Sequence, residues 1–249
     1  MGLGAAQVRA ARLEKARGPV GAAVSGVVLV LPGGEETSER RPARLAVSSA
    51  RGLGRHLARR GRSKGLVTHV VRYRARGWNG PQALLASDAQ WAADEAVRRY
   101  GDVPVCLAGV GMGGRAALRA GGHPAVHSVL ALAPWLPEEG GAQPPEPVKQ
   151  LAGRRVMIVH GTKDVRNDPE LSFRLAARAK KANRDICRFE VHADGHGLRQ
   201  YQDEVRALSV NFVLGTLFGV RFARPVADAL AAPPPLGLRM PLASGFGGT

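Results

Sequence analysis

The stretch from Val105 to Leu118 constrains the fold of this chain more than any other. Its apolar start, VCLAGV, is typical of a buried strand, and its end, RAAL, is typical of a helix, with only GMGG between them. Because no residues remain for a loop, the backbone has to turn sharply. Glycine allows the unusual backbone angles and close contacts that such a turn requires. The pattern therefore predicts a strand that runs directly into a helix.

Apolar and amphipathic segments alternate along the rest of the chain. The hydrophobic pattern predicts strands over residues 26–31, 66–73, 103–108, 127–132, 155–160 and 186–192, and helices over residues 42–60, 82–100, 112–120, 169–182 and 199–218. Such alternation is typical of a mainly parallel sheet with helices on both faces and right-handed crossovers. The linker between the fourth and fifth strands is too short for a large cap domain. We therefore expect an α/β fold with about six strands and no large cap.

The chain is long enough for one domain with a substantial core, which we expect over residues 24–220. Residues 1–23 are small and basic and are predicted to form an N-terminal arm. Residues 221–249 contain the runs PPP and GFGG and are predicted to form a tail without a core of its own. No second domain is expected.

The net charge of +16 raises the question of a nucleic-acid partner. Only six of the 36 basic residues are lysines, and the arginines are scattered through a chain rich in alanine and glycine. This bias is typical of a GC-rich coding background, and no zinc finger or aromatic RNA-binding motif accompanies it. We expect no nucleic-acid partner.

The chain has no apolar run of about 18 residues, the length that would suggest a membrane helix, and no signal-peptide core at its N-terminus. These features predict a cytoplasmic protein with no membrane partner. Cys106 and Cys187 both fall in predicted strands, where reduced thiols buried in the core are more plausible than a disulfide.

The sharp turn reads Gly109-Val-Gly-Met-Gly113, which is the frame of a G-x-S-x-G nucleophile elbow with glycine in place of serine. Three further segments accompany it: VVLVLPGG at 27–34, HGTKD at 160–164 and ADGHG at 193–197. With these four segments the chain resembles the α/β-hydrolase superfamily, in particular its small, capless esterase and dienelactone-hydrolase-like members. The resemblance covers about residues 24–220 and implies the α/β-hydrolase fold.

The resemblance also implies a set of site residues. In this family an acid follows the penultimate strand, which points to Asp164, and a catalytic histidine follows the last strand, which points to His196. Two backbone N–H groups form the oxyanion hole, and the matching positions here are Met112 and Gly34. Gly111 takes the position of the nucleophile. It offers nothing to acylate, so a covalent acyl-serine route is excluded.

Four more residues are candidates for substrate binding. Val110 and Pro32 stand where family members commonly have histidine, beside the nucleophile and in the oxyanion strand. Trp78 and Trp135 follow strands at the end of the sheet where the pocket is expected. Either tryptophan could line the pocket or pack in the core, and the sequence leaves both readings open.

No metal or cofactor is expected. The chain has no H-E-x-x-H, no paired C-x-x-C and no phosphate loop with its lysine and serine. Gly109, Gly111 and Gly114 match a dinucleotide-binding loop loosely, but the acidic residue expected about twenty residues later is missing. Four other histidines lie in or at the ends of strands and are predicted to be structural: His69, His127, His160 and His192.

Two functions stay open at this point. In the first, His196 and Asp164 act as a general base on a small organic substrate without a covalent step, by direct hydrolysis or by elimination, isomerisation or cyclisation. In the second, the chain is an inactive pseudo-hydrolase that binds a small apolar ligand or a protein partner. The sequence does not determine the oligomeric state.

Overall fold

An eight-stranded sheet forms the centre of the part of the chain that the structure, a computed structural model, describes: residues 10–19, 23–138, 140–141, 143–192 and 194–248. The strands are β1 (Arg12–Leu13), β2 (Gly26–Leu31), β3 (Leu66–Arg72), β4 (Val105–Val110), β5 (Val126–Leu132), β6 (Arg155–Gly161), β7 (Ile186–Val191) and β8 (Met240–Pro241). Their order in the sheet is β1-β3-β2-β4-β5-β6-β7-β8. β1 is antiparallel to β3, and all other neighbouring strands are parallel.

Helices cover both faces of the sheet. In the described ranges they are α1 (Arg44–Arg60), α2 (Leu84–Tyr100), α3 (Met112–Ala120), α4 (Pro169–Ala182), α5 (Gln202–Phe218) and α6 (Arg224–Ala231). Successive strand residues point to opposite faces. Accordingly, Val27, Leu29 and Leu31 of β2 share a core with α2, α3 and α4, whereas Val28 and Val30 share the other core with α1, α5 and α6. No helix of the described residues is long and apolar enough to cross a membrane.

The six predicted strands and five predicted helices are confirmed, with shifts of up to three residues at their ends. The segment between β5 and β6 contains a single short 3-10 turn, Lys149–Leu151, among its described residues, so no large cap covers the sheet there. Both cysteines are buried and unpaired, as expected. The sheet is larger than predicted because two-residue strands, β1 and β8, extend its edges.

The segments at the two ends contribute more structure than the sequence suggests. β1 places residues of the expected N-terminal arm against β3, with Arg12 opposite Arg72. The region from residue 221 was expected to have no core of its own, and some of its apolar side chains pack into the core of the main sheet: Val226 of α6 and Leu238 before β8 are completely buried. The proline-rich composition gave no indication of the short amphipathic helix α6. Residues 1–9, 20–22 and 249 of these segments lie outside the described residues.

The predicted sharp turn is present and consists of one residue. β4 ends at Val110 and α3 begins at Met112, so that Gly111 alone reverses the chain, with φ 56° and ψ −122°. Its N–H donates to the Leu132 carbonyl at 2.9 Å, and its carbonyl accepts from the Trp135 N–H at 3.1 Å. The backbone of the turn is therefore held by the end of β5 and the residues after it.

The glycines on either side of Gly111 are needed because backbones meet there. A Cβ on Gly109 would overlap the carbonyl of Gly113, and a Cβ on Gly113 would overlap the carbonyls of Leu31 and Pro32. Only hydrogen atoms fit between α3 and the ends of β2 and β4. This close packing brings the first turn of α3 directly beside the end of β2.

Gly113→Ala is expected to lower the free energy of unfolding by about 2 kcal/mol or more, because the added methyl group has to displace backbone rather than a side chain. Gly52→Ala is the matched control: this glycine lies in α1, and a Cβ there meets nothing within 4 Å. The control should be stabilised by about 0.5–1 kcal/mol through helix propensity. Urea unfolding followed by circular dichroism measures both changes. Equal stability of the two variants would contradict the close contact.

Candidate active site

His196 and Asp164 meet at the carboxyl end of the sheet. Asp164 follows β6 and His196 follows β7, and because these strands are parallel neighbours, their following loops lie side by side. The His196 Nδ1 atom lies 3.1 Å from Oδ2 of Asp164. The histidine side chain is 33% exposed, whereas the Asp164 side chain is completely buried. The pair therefore has a buried acidic end and an imidazole that solvent reaches.

The Asp164 carboxylate is held from several sides. Its Oδ1 atom accepts hydrogen bonds from the backbone N–H groups of Arg166 at 2.9 Å and Asn167 at 3.1 Å. Burial alone would raise the pKa of this carboxyl group. Hydrogen bonds from the two histidine rings and from the two N–H groups outweigh that effect, so the pKa of Asp164 lies well below its usual range. The carboxylate is charged under all physiological conditions.

His160 lies behind the carboxylate. It is completely buried, and its Nε2 atom lies 3.3 Å from Oδ2 of Asp164 and 3.0 Å from the Asn167 carbonyl oxygen. Its Nδ1 atom lies 2.9 Å from the Ser172 hydroxyl. Both ring nitrogens are thus engaged inside the protein, as expected for a structural histidine. It nevertheless contacts the same carboxylate oxygen as His196.

Asn167 is a site residue that the sequence analysis missed. Its Nδ2 atom donates to the Ala133 carbonyl at 2.8 Å and lies 3.2 Å from Nδ1 of His196. It joins the loop after β6 to the loop after β5, directly beside the imidazole. An asparagine in a polar loop carries no pattern of its own, and only its position three residues after Asp164 could have drawn attention to it.

The His196 ring lies over Gly111. A Cβ built on Gly111 would have one neighbour within 4 Å, the Cε1 atom of His196 at 3.8 Å. Cε1 is bonded to Nε2, the ring nitrogen that faces away from Asp164. The structure therefore brings three predicted residues together: Asp164, His196 and Gly111.

Met112 and Gly34, whose N–H groups were predicted to form the oxyanion hole, lie beside each other and next to Gly111. Met112 is the first residue of α3, where N–H groups have no acceptor within the helix. Gly34 lies beside it, since a Cβ on Gly34 would be 3.5 Å from Cβ of Met112 and 2.6 Å from a methyl group of Leu85. In the described part of the chain neither N–H has an acceptor. Both are free to bind an atom of a ligand.

These groups open into a cleft of about 800 Å³. Of the predicted substrate-binding residues, Val110 and Trp135 line it, together with Gly34, Gly111, Met112 and His196. Its other walls come mainly from α1, from the loop after Pro32 and from the loops that carry Asn167 and Gly197. Pro32 itself is buried behind the turn, and its carbonyl accepts a hydrogen bond from the Tyr73 hydroxyl at 3.3 Å.

Trp78 does not line the cleft either. It is 1% exposed and packs in the core, with the Arg115 guanidinium 3.9 Å above its ring. Arg115 in turn forms a buried ion pair with Glu146 at 2.7 Å and donates to Gln143 at 3.0 Å. The aromatic side chain and the ion pair fasten the long loop after β5 onto α3. Trp78 thus packs in the core, whereas Trp135 is partly buried, packs against the same core and also lines the cleft.

A metal centre is not formed by the residues in place. Among the described residues there is no group of three or more histidine, cysteine, aspartate or glutamate side chains arranged to hold a metal ion. His160 and His196 both approach the Oδ2 atom of Asp164, so these three side chains contact one another through that oxygen.

No protein-family model matches this chain, and no curated protein matches it. Solved structures do. An esterase from the planctomycete Thermogutta terrifontis, solved with propionate, has a TM-score of 0.62 and 17% identity over 85% of this chain and 96% of its own. A serine hydrolase homologue from Coxiella burnetii has a TM-score of 0.58 and 16% identity over 82% and 97%.

A third similar structure is an esterase from Pyrococcus furiosus, with a TM-score of 0.59 and 15% identity over 78% of this chain and 84% of its own. At such identities the likeness concerns the fold and leaves the reaction open. The strand order, the mainly parallel sheet covered on both faces and these structural neighbours agree. The chain has the α/β-hydrolase fold, without a large cap domain.

Proposed function

We propose that this protein is a general-base catalyst that acts on a small organic substrate without a covalent enzyme intermediate. The observation that carries the proposal is the position of His196, 3.1 Å from the buried Asp164 carboxylate and directly over the side-chain-free Gly111. Gly111 occupies the turn at which hydrolases of this fold present a serine. The proton-handling pair is therefore retained where the nucleophile is not.

The tautomer of His196 decides whether the ring can act as a base. Its Nδ1 atom has an acceptor, Asp164 Oδ2 at 3.1 Å, and a donor, Asn167 Nδ2 at 3.2 Å. A hydrogen bond to a charged group contributes about 1.5–3 kcal/mol, against about 0.5–1.5 kcal/mol for a neutral one. The hydrogen bond to the Asp164 carboxylate is therefore the stronger of the two. It keeps the proton on Nδ1 and leaves Nε2 as the basic atom.

In the proposed reaction Nε2 removes a proton from a water molecule, or from a hydroxyl or acidic C–H group of the substrate. Deprotonated water would attack a carbonyl carbon directly, in the space that a serine hydroxyl takes in other members of the fold. The tetrahedral intermediate would then break its bond to the leaving group, which takes the proton held on Nε2 and departs as the alcohol, while the acid is released. The Asp164 carboxylate stabilises the imidazolium that forms. General-base catalysis of this kind typically contributes about 10²–10⁴-fold to the rate.

The free N–H groups of Met112 and Gly34 would form the oxyanion hole. They lie side by side at the start of α3 and in the loop after β2, on the wall of the cleft beside Gly111. Two preorganised donors stabilise negative charge that develops on a carbonyl oxygen or an enolate, and each is worth about 10²–10³-fold. Direct hydrolysis, elimination, isomerisation and cyclisation all produce such charge. Val110 and Trp135 would bind the apolar part of the substrate.

A second candidate is a pseudo-hydrolase that binds a small apolar ligand or a protein partner and performs no reaction. The observation in its favour is the conformation of Gly111, φ 56° and ψ −122°. Only glycine adopts this region without strain, and other residues are destabilised there by about 1–3 kcal/mol. A chain that no longer needed a nucleophile would gain stability from glycine at this position.

Restoring the nucleophile tests the remaining machinery. The double variant Val110→His/Gly111→Ser is expected to hydrolyse p-nitrophenyl acetate at least about 10²-fold faster than Val110→His/Gly111→Ala. The alanine variant is the matched control, because it carries the same backbone strain without a hydroxyl group. A rapid burst of nitrophenol and labelling by a fluorophosphonate should accompany the gain. Equal rates in two folded variants would show that the pair and the N–H groups are not functional.

The wild-type protein separates the two candidate functions. We expect slow hydrolysis of p-nitrophenyl acetate without a burst, a solvent isotope effect in D₂O, and a loss of about 10²-fold or more in His196→Ala. His127→Ala is the control, because His127 is exposed near the start of β5 and lines no part of the cleft. Rates that are the same in wild type, His196→Ala and buffer would favour the pseudo-hydrolase.

Asp164 should make stability depend on pH. Its pKa is lowered in the folded protein, so its contribution is complete above the unfolded value of about 4 and is lost as the pH falls further. Asp164→Asn should lower the free energy of unfolding at pH 7 by about 1–3 kcal/mol. Urea unfolding between pH 3 and pH 7 measures the difference between the two proteins. It should narrow below about pH 4, and a difference independent of pH would contradict an ionised, hydrogen-bonded carboxylate.

A further inference from the structure

The cleft beside His196 carries three arginines and two glutamates on its walls: Arg166, Arg199, Arg206, Glu35 and Glu36. Whether such a set attracts an anion depends on which charges are already neutralised by neighbours. The side-chain contacts of these five residues therefore decide what the cleft binds.

Both glutamates are engaged by other parts of the chain. Glu35 forms an ion pair with Arg76 at 2.9 Å. Glu36 accepts a hydrogen bond from Gln143 at 3.0 Å. Neither carboxylate approaches an arginine of the cleft wall within the 4 Å of an ion pair.

The three arginines of the cleft wall differ in whether a carboxylate pairs with them. Arg206 pairs with Asp203 at 3.2 Å. The guanidinium groups of Arg166 and Arg199 have neither a hydrogen bond nor an ion pair with any described residue. Other exposed arginines, such as Arg44 and Arg184, likewise have no carboxylate partner among the described residues. Arg166 and Arg199 differ from them because they line the cleft.

The two unpaired guanidinium groups belong to the loops of the catalytic pair. Arg199 folds back over Gly197, since a Cβ on Gly197 would lie 3.0 Å from its Cγ and 3.1 Å from its Nε atom. Gly197 directly follows His196. Arg166 is fixed from the other loop, where its backbone N–H donates to Asp164 at 2.9 Å. Two positive groups therefore reach the cleft next to the imidazole.

We infer that the substrate is a small organic anion whose carboxylate is bound by Arg199 and Arg166 while its apolar part contacts Trp135 and Val110. This inference rests on the proposed function and specifies its substrate class. A guanidinium group presents a planar set of N–H donors that matches a carboxylate, and it stays charged at any physiological pH. The net charge of +16 would also draw an anion towards the cleft.

Binding of phenylacetate and of its neutral counterpart phenylacetamide, measured by isothermal titration calorimetry on the full chain, tests the inference. We expect the wild type to bind phenylacetate at least tenfold more tightly than phenylacetamide, with an affinity that decreases as salt increases. The double variant Arg166→Gln/Arg199→Gln should lose at least tenfold for phenylacetate and little for the amide. Arg166→Lys/Arg199→Lys should be intermediate, because the charge remains without the planar donor set.

Arg184→Gln is the matched control, an exposed arginine in the turn between α4 and β7 that lines none of the cleft. It removes one charge and should bind both ligands as the wild type does. Equal affinity of the wild type for acid and amide, or absence of saturable binding of phenylacetate, would overturn the inference. So would unchanged phenylacetate binding in the Arg166→Gln/Arg199→Gln variant.

This experiment reads binding and needs no turnover, so its outcome is separate from that of the catalytic tests. Carboxylate binding without any reaction dependent on His196 would remove the proposed catalysis and leave an anion-binding protein. A reaction dependent on His196 that shows no preference for anions would leave the catalysis and remove the substrate class.

Discussion

The arrangement of this molecule depends on one close backbone contact. α3 can begin one residue after β4 only because Gly109 and Gly113 have no side chains to separate the first turn of the helix from the ends of β2 and β4. That contact places the N–H of Met112 next to Gly34 and aims position 111 at the imidazole of His196. Any residue at 111 inherits this direction. The geometry of this turn is thus a property of the two flanking glycines rather than of the residue between them.

Much of the fold was predictable because buried parallel strands leave a continuous apolar pattern, and the six long strands all carry it. β1 and β8 were not predicted, because a strand of two residues is too short to show a periodic hydrophobic pattern. In the site, Asp164 and His196 were predicted from the resemblance, which implies an acid and a histidine after the last two long strands. Asn167 could not, because its role arises from loops that meet only in the folded chain. No local pattern distinguishes the two tryptophans, because Arg115 lies over both rings and they differ only in how far the folded chain buries them.

Asp164 connects the catalytic side of the site to the interior. Its Oδ1 atom accepts from two backbone N–H groups and its Oδ2 atom faces two histidine rings, so the carboxylate cannot turn without breaking several hydrogen bonds. His160, on the buried side, continues the chain of contacts through Ser172 to Arg188. A carboxylate held this firmly can orient His196 without moving during a reaction, which is what electrostatic preorganisation requires. The same rigidity would equally suit a structural role. Whether His196 can take part in a reaction therefore depends on the groups that its imidazole faces.

What His196 faces is a cleft, an empty side-chain position and two guanidinium groups without partners. Arg166 and Arg199 line the cleft beside His196 and have no carboxylate partner among the described residues, and His196 itself is oriented by Asp164 and accessible to solvent. A ligand that carries a negative group would pair with the guanidinium groups of Arg166 and Arg199 beside the oriented base His196. Under the proposed function, glycine at position 111 excludes a covalent acyl step and leaves a site for binding and proton transfer.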